Sequence, residues 1–163
     1  MSGSTGCRMP WFSLAELKDL SSFRNLSKLR DLNIGHNRII DLTGISDCKE
    51  LVNLNLNANG IADLAILKPI QNLPNLSSLH LSYNPINNLQ PLHEMKNLHS
   101  QITNLHLNST DIKDLTALKQ FRNLVWLSLG NNKIVDLSFV SGLSNLKILG
   151  LGDNHISQIA SIV

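Results

Sequence analysis

His80 and His106 occupy the same place in two successive copies of a recurring phrase, so on adjacent strands they stand side by side. Such a pair could hold a metal ion, or feel pH through rings that titrate near neutrality. The matching position of the next copy is Ser128, and no carboxylate or cysteine completes a ligand set, so polar lining of a surface is the stronger reading. Asp41, Asp63, Asp114 and Asp136 form a second column and could suggest a calcium ladder. Each directly precedes a core leucine that opens a turn, and capping that turn leaves its oxygens nothing to spare for a cation. The chain has no glycine-rich phosphate loop and no nucleophile with base and orienting acid at recognisable spacing. We expect no catalytic residue, no metal and no cofactor, and we do not expect an enzyme. Asn25-Leu-Ser, Asn75-Leu-Ser and Asn108-Ser-Thr fit the glycosylation pattern, but two of them arise from an Asn-Leu phrase that recurs along the chain.

These residues are positioned by a tandem array. Leu105, Leu127 and Leu149 stand 22 residues apart, each opening Leu-x-Leu-x-x-(Asn/Thr)-x-Ile. The phrase also begins at Leu32, Leu54 and Leu79, with Ile34 as the second apolar residue of the first copy. A fixed period of this length implies a solenoid whose units contact mainly their neighbours. Within the unit from Phe121 to Val140, the alternation Leu127-x-Leu129 points both leucines to one face of a short strand and leaves Trp126 and Ser128 on the other. The remaining apolar positions, Phe121 and Leu124 before the strand and Ile134, Leu137 and Val140 after it, are spaced by threes, which suits tight three-per-turn helices. Parallel strands about 4.8 Å apart on one side, with thicker turns behind, curve the stack so that its sheet is concave.

Asn37, Asn59, Asn84, Asn132 and Asn154 follow the strands, where an amide can donate to and accept from the backbone of adjacent coils. Thr110 interrupts this column, and its coil is expected to satisfy one backbone group fewer, or to do so through water, and to be locally soft. The intervals Leu54 to Leu79 and Leu79 to Leu105 are longer, 25 and 26 residues. Their extra residues, 68–72 and 93–97, are expected to widen the convex side into short α-helices.

The expected organisation is a flexible leader over 1–10 and one domain over 11–163, with a degenerate half-repeat at 11–25 and six repeats over 26–163. Asp19, Leu20 and Phe23 fit the repeat frame in that half-repeat, with Trp11 and Phe12 completing it. The last residues, Ile159, Ile162 and Val163, lack the polar sequence of a terminal cap. A fragment, or a final coil covered by a partner or by self-association, is expected.

The 42% apolar content with 16% charge excludes a disordered polyelectrolyte, and 4% aromatics suits a leucine-based repeat. Net charge is +2, and the basic residues are scattered among the acidic ones, so nucleic acid finds no electrostatic footprint. No apolar run approaches the roughly 18 residues of a membrane span, and no membrane association is expected. Cys7 and Cys48 stand in unlike settings, Cys48 at a position filled elsewhere by Leu73, Phe121 and Leu143 and therefore core. Two unmatched cysteines favour a reducing compartment, cytoplasmic or nuclear. The alternative is a secreted protein, the chain then being a fragment that lacks its signal peptide.

The phrase LxxLxLxxNxIxDL, written LVNLNLNANGIADL from Leu51 to Leu64, resembles the leucine-rich repeat of the short 22-residue class. That class includes a regulatory subunit of type-1 protein phosphatase, related axonemal and splicing proteins, and secreted bacterial internalins. The resemblance implies an α/β repeat solenoid, a right-handed horseshoe with a parallel sheet on its concave face and 3-10 helices and turns on its convex face. It also implies protein binding by the concave strands, without naming a partner. Thr110, the two long repeats and the missing terminal caps depart from the pattern.

Flanking the buried leucines, Asp31, Asn53, Ser78, Asn104, Trp126 and Ile148 form one exposed column, and Asn33, Asn55, His80, His106, Ser128 and Gly150 the next. With neighbours such as Tyr83 these amount to roughly twenty residues, one side of a standard protein interface. Trp126 beside Ile148 is the anomaly, since a large apolar pair on a solvated face is the kind of anchor that dominates binding. The plainer alternative is an indole folded over neighbouring aliphatics. The expected function is a non-catalytic scaffold, or a regulatory subunit, that binds a protein partner of unnamed identity. An internalin-like adhesin or effector is the alternative.

Overall fold

The computed structural model describes residues 7–9 and 17–157. The expectations placed on Trp11 and Phe12, and on Ile159, Ile162 and Val163, lie outside the described residues. Seven short strands form one parallel sheet in chain order: β1 (Cys7–Met9), β2 (Leu29–Asn33), β3 (Asn53–Asn55), β4 (Ser78–His80), β5 (Asn104–His106), β6 (Trp126–Ser128) and β7 (Ile148–Gly150). β1 falls within the segment expected as a leader and pairs with β2. From β2 onward the register is unbroken: Leu32, Leu54, Leu79, Leu105, Leu127 and Leu149 are partners in sequence. One buried leucine column therefore crosses the molecule, exposed only at its last member, where Leu149 is half-buried.

Behind the sheet each coil returns through a 3-10 helix or turn. The apolar period of three explains the choice, because residues three apart eclipse on such a helix and face the core together. Leu64, Leu67 and Ile70 do so in the helix Leu64–Ile70. The first long repeat thus absorbs its extra residues in a longer 3-10 helix, and the α-helix expected over 68–72 does not form. Pro69 lies inside it and removes one backbone donor. In the second long repeat a 3-10 helix, Gln90–Glu94, is followed by α1 (Lys96–Gln101). Here Leu98 and Ile102 are four apart and both buried, and the Ile102 N–H donates to the Leu98 carbonyl at 3.0 Å. The back-side turns stack closely. A Cβ on Gly44 would lie 1.8 Å from the Leu20 carbonyl oxygen, so glycine alone fits there.

The asparagine column is an internal ladder. Asn84 Nδ2 donates to Leu56 O (3.0 Å) in the preceding coil and to Leu81 O (2.8 Å) in its own, while its Oδ1 accepts from Asn59 N and Ile61 N. Asn59, Asn132 and Asn154 repeat the pattern. Thr110, fully buried, shares its one hydroxyl proton between Leu107 O and Asn132 Oδ1 and, among the described residues, makes no bond back to the coil of β4, which is the shortfall its side chain predicts. One residue before each ladder position the backbone is left-handed, at His36, Ala58, Tyr83, Ser109, Asn131 and Asp153. The turn demands this conformation whatever residue stands there.

The aspartates cap the back-side turns as expected. Asp19, Asp41, Asp63, Asp114 and Asp136 each accept from the backbone N–H two residues on, at 2.8 to 3.0 Å. In Asp41 and Asp136 the neighbouring hydroxyl, and in Asp19 and Asp114 the backbone N–H, is the main reason the carboxyl lies below its ordinary range. Cys48 is buried, and its thiol is pushed up chiefly by desolvation.

Candidate functional site

The six strands from β2 to β7 bring the predicted columns together in register. Asp31, Asn53, Ser78, Asn104, Trp126 and Ile148 are successive partners, as are Asn33, Asn55, His80, His106, Ser128 and Gly150. Their exposure is uneven. Asp31, Asn33, Asn53, Asn55, His80, Asn104, His106 and Ser128 are half-buried, whereas Trp126 and Ile148 are 40% and 48% exposed. Ser78, expected on the surface, is buried at 6%. Its hydroxyl lies 3.1 Å from His80 Nε2, so the larger imidazole two residues on covers it. Tyr83 lies beyond the sheet on the turn after β4, 64% exposed and left-handed with φ 59°. A bulky side chain there bears a backbone cost that glycine or asparagine would lessen.

At the β2–β3 end the amides serve the fold as well as the surface. Asn53 Nδ2 donates to Asp31 Oδ1, Asn33 Oδ1 accepts from Gly35 N at 3.2 Å, and Asn55 Oδ1 accepts from Asn57 N at 2.9 Å. The centre and far end are aromatic and apolar. The rings of His80 and His106 stack with centroids 4.2 Å apart and planes 4° from parallel. His106 in turn meets Trp126 edge to face at 5.2 Å and 62°. Trp126 Nε1 donates to Ser128 Oγ at 3.0 Å, two residues along the same strand. Burial, then the neighbouring His106, pushes the His80 imidazole down to about 4, and burial lowers His106 too. At neutral pH the strip from His80 to Ile148 is uncharged.

Among the described residues no three histidine, cysteine or carboxylate side chains gather where they could hold a metal ion, and no helix is long and apolar enough to cross a membrane.

Three structural roles were not anticipated from the sequence. His99 is buried, with Nε2 2.7 Å from Leu92 O and its ring 4.8 Å from Phe121. Asn75, Asn123 and Asn145 donate to carbonyls of the preceding coil, at Lys49, Ser100 and Arg122. Asn57, Ser82 and Asn108 form a second ladder, each accepting from a backbone N–H of the next coil. The recurrence of Asn-Leu was the available signal for the second of these. It gives Asn75 a bond of its own, and the second ladder gives Asn108 one, so two of the three glycosylation patterns fall on engaged side chains.

A sequence model for two copies of leucine-rich repeats matches residues 122–162. No curated protein gives a significant match. Among solved structures, internalin C2 of Listeria monocytogenes is similar over 91% of this chain with 30% identity and a TM-score of 0.74. An internalin F of the same species aligns over 90% at 28% identity and a TM-score of 0.52, and a leucine-rich-repeat protein of Leptospira interrogans over 88% at 28% and 0.61. The chain spans 62%, 54% and 41% of the lengths of those three proteins. Stacked coils with one leucine column, an asparagine ladder and 3-10 returns, together with these likenesses, make the chain a leucine-rich-repeat protein of the short, internalin-like class.

Proposed function

We propose that the chain is a non-catalytic interaction module that holds a protein partner against its sheet face. Asp31, Asn33, Asn53, Asn55, Asn104 and Ser128 supply polar contacts on this reading, and His80, His106, Trp126, Ile148 and Tyr83 the apolar and aromatic ones. The observation that carries the reading is Trp126 beside Ile148, both exposed on adjacent strands. Their indole and sec-butyl groups remain in water unless something covers them, and desolvated aromatic anchors contribute most to protein association. Ser78, being buried, supports the face without touching the partner.

Two settings fit such a module. One is a regulatory or scaffolding subunit in the cytoplasm or nucleus. The other is a secreted internalin-like adhesin or effector, and the 30% identity to internalin C2 favours it. Fractionation of the native organism, reading whether the protein is found inside or outside the cell, separates them.

The test is affinity capture from that organism with the wild-type chain, Trp126→Ala and the pair His80→Ala/His106→Ala. The partner should be lost or strongly depleted with both variants, retained with the back-side change Lys119→Ala, and thermal unfolding should stay within a few degrees throughout. Retention of the partner by Trp126→Ala, or collapse of its fold, overturns the assignment of this face.

A further inference from the structure

The two imidazoles lie where a charge on both cannot be accommodated. Their rings are parallel at 4.2 Å, one on β4 and one on β5, and the outer side of His106 is occupied by the Trp126 ring. Among the described residues nothing around them offers a counter-charge. From β3 they meet Asn53 and Asn55, from β6 Trp126 and Ser128, and from their own strands Ser78 and Asn104. The turns that follow β4 and β5 carry the uncharged Ser82, Tyr83, Asn108 and Ser109. The nearest strand carboxylate, Asp31, is on β2, two strands from His80, and takes a bond from Asn53. Asp111, beyond the turn after β5, is paired with Lys133 at 2.6 Å.

We propose that His80 and His106 form an acid-operated latch on the sheet face: while neutral they stay stacked and brace Trp126, and when both are protonated they part and leave the indole held only by its bond to Ser128 Oγ. The protons arrive in order. His106 takes the first, because burial alone opposes its charge, whereas His80 is opposed by burial and by His106. That charge then opposes the second proton on His80, so the pair titrates in two macroscopic steps. The lowered position of both rings agrees, His80 reaching about 4 through burial and then through His106. Since the folded pair binds protons less readily than the ordinary value of 6.5, the unfolded chain holds more protons between about 6.5 and 4. Stability contributed by the stack is therefore complete above 6.5 and falls as the solution is acidified through that window. The turn caps do not fail at the same point, because Asp19, Asp41, Asp114 and Asp136 titrate below the ordinary carboxylate value.

The latch is a property of the chain alone, so its failure leaves the partner assignment standing. Trp11→Phe makes Trp126 the sole tryptophan, the chain having two. That protein is titrated from pH 8 to 3.5 while indole emission, the Hε1 resonances of His80 and His106, and far-UV circular dichroism are followed. His106 should titrate first and quench the indole, because an imidazolium in ring contact accepts an excited electron. His80 should follow near pH 4 with a red shift of the emission, and the dichroism should hold steady. His106→Gln should abolish the quench and raise the His80 midpoint, and His80→Gln should keep the quench but lose the red shift. Independent titration of both rings near 6.5, a quench that survives His106→Gln, or loss of dichroism together with the emission change each overturns the latch.

Discussion

The joint between the coils of β5 and β6 and the joint between those of β4 and β5 share strand pairing and leucine column but differ in their polar bonds. At the first, Asn132 reaches back to Leu107 O at 2.8 Å and its Oδ1 accepts from Thr110 N, Ile112 N and the Thr110 hydroxyl. At the second, Thr110 sends nothing back. Ile86 N turns to Asn84 O at 2.7 Å in its own coil, and Asn84 N has no protein acceptor among the described residues. The bonds of the ladder that contains Asn84 and Asn132 therefore run backward. Each coil secures its predecessor, so the effect of Thr110 is felt in the coil before it. On the sheet face, this is also the joint bridged by the His80–His106 stack.

The comparison breaks if the apolar layers differ as well as the ladder. Leu79→Ala and Leu127→Ala should each cost about 2–5 kcal/mol in urea unfolding, because both leucines are almost fully buried and each leaves a cavity between layers. Costs that agree within about 1 kcal/mol place the difference between the joints in the polar bonds. A much cheaper Leu79→Ala would mean that the β4–β5 layer is already loose.

A smaller effect sharpens the contrast. Asn132→Ala strands the buried Thr110 and Ile112 N–H groups and leaves Leu107 O with the Thr110 hydroxyl as its side-chain donor, and should cost about 2–3 kcal/mol. Thr110→Ala removes only the hydroxyl bonds to Leu107 O and Asn132 Oδ1 and should cost about 1 kcal/mol. Equal costs by denaturant titration would end the idea that direction along the ladder matters.

Much of this was legible in the residues, for a physical reason. The recurrence of Leu32, Leu54, Leu79, Leu105, Leu127 and Leu149 sets strand, face and register at once, since a one-residue slip would turn every leucine into water. The asparagine ladder and the aspartate caps were equally readable, because amide and carboxylate at those places have one set of backbone partners. What escaped depends on side chains meeting across strands. That Ser78 is covered by His80 on its own strand, and that His106 stacks on His80 while touching Trp126, follows from rotamers that settle among neighbours on strands 20 to 26 residues apart in the chain. The extra residues of the long repeats divided between 3-10 and α geometry on the spacing of Ile70 and Ile102 from the leucine before each, three against four. β1 follows no copy of the phrase, and its pairing with β2 had no signal to read.

The smallest effect tests the comparison from the opposite side, by repair. Thr110→Asn places an amide where Asn59, Asn84 and Asn132 already sit in their own coils, with Nδ2 in reach of Leu81 O and Oδ1 facing Asn84 N and Ile86 N. It surrenders the hydroxyl bond to Asn132 Oδ1, which keeps two other donors. Asn84 N gains a partner, Leu81 O a second donor and Ile86 N an alternative to Asn84 O, while one bond is lost, so the net gain should be about 1 kcal/mol. Amide exchange at Asn84 and Ile86 should slow with it, while exchange at Leu129, across the joint that is already complete, stays unchanged. A destabilised Thr110→Asn would show that the β4–β5 joint has closed around the smaller side chain. The missing bonds would then be a settled feature of its packing rather than a gap that an asparagine can fill.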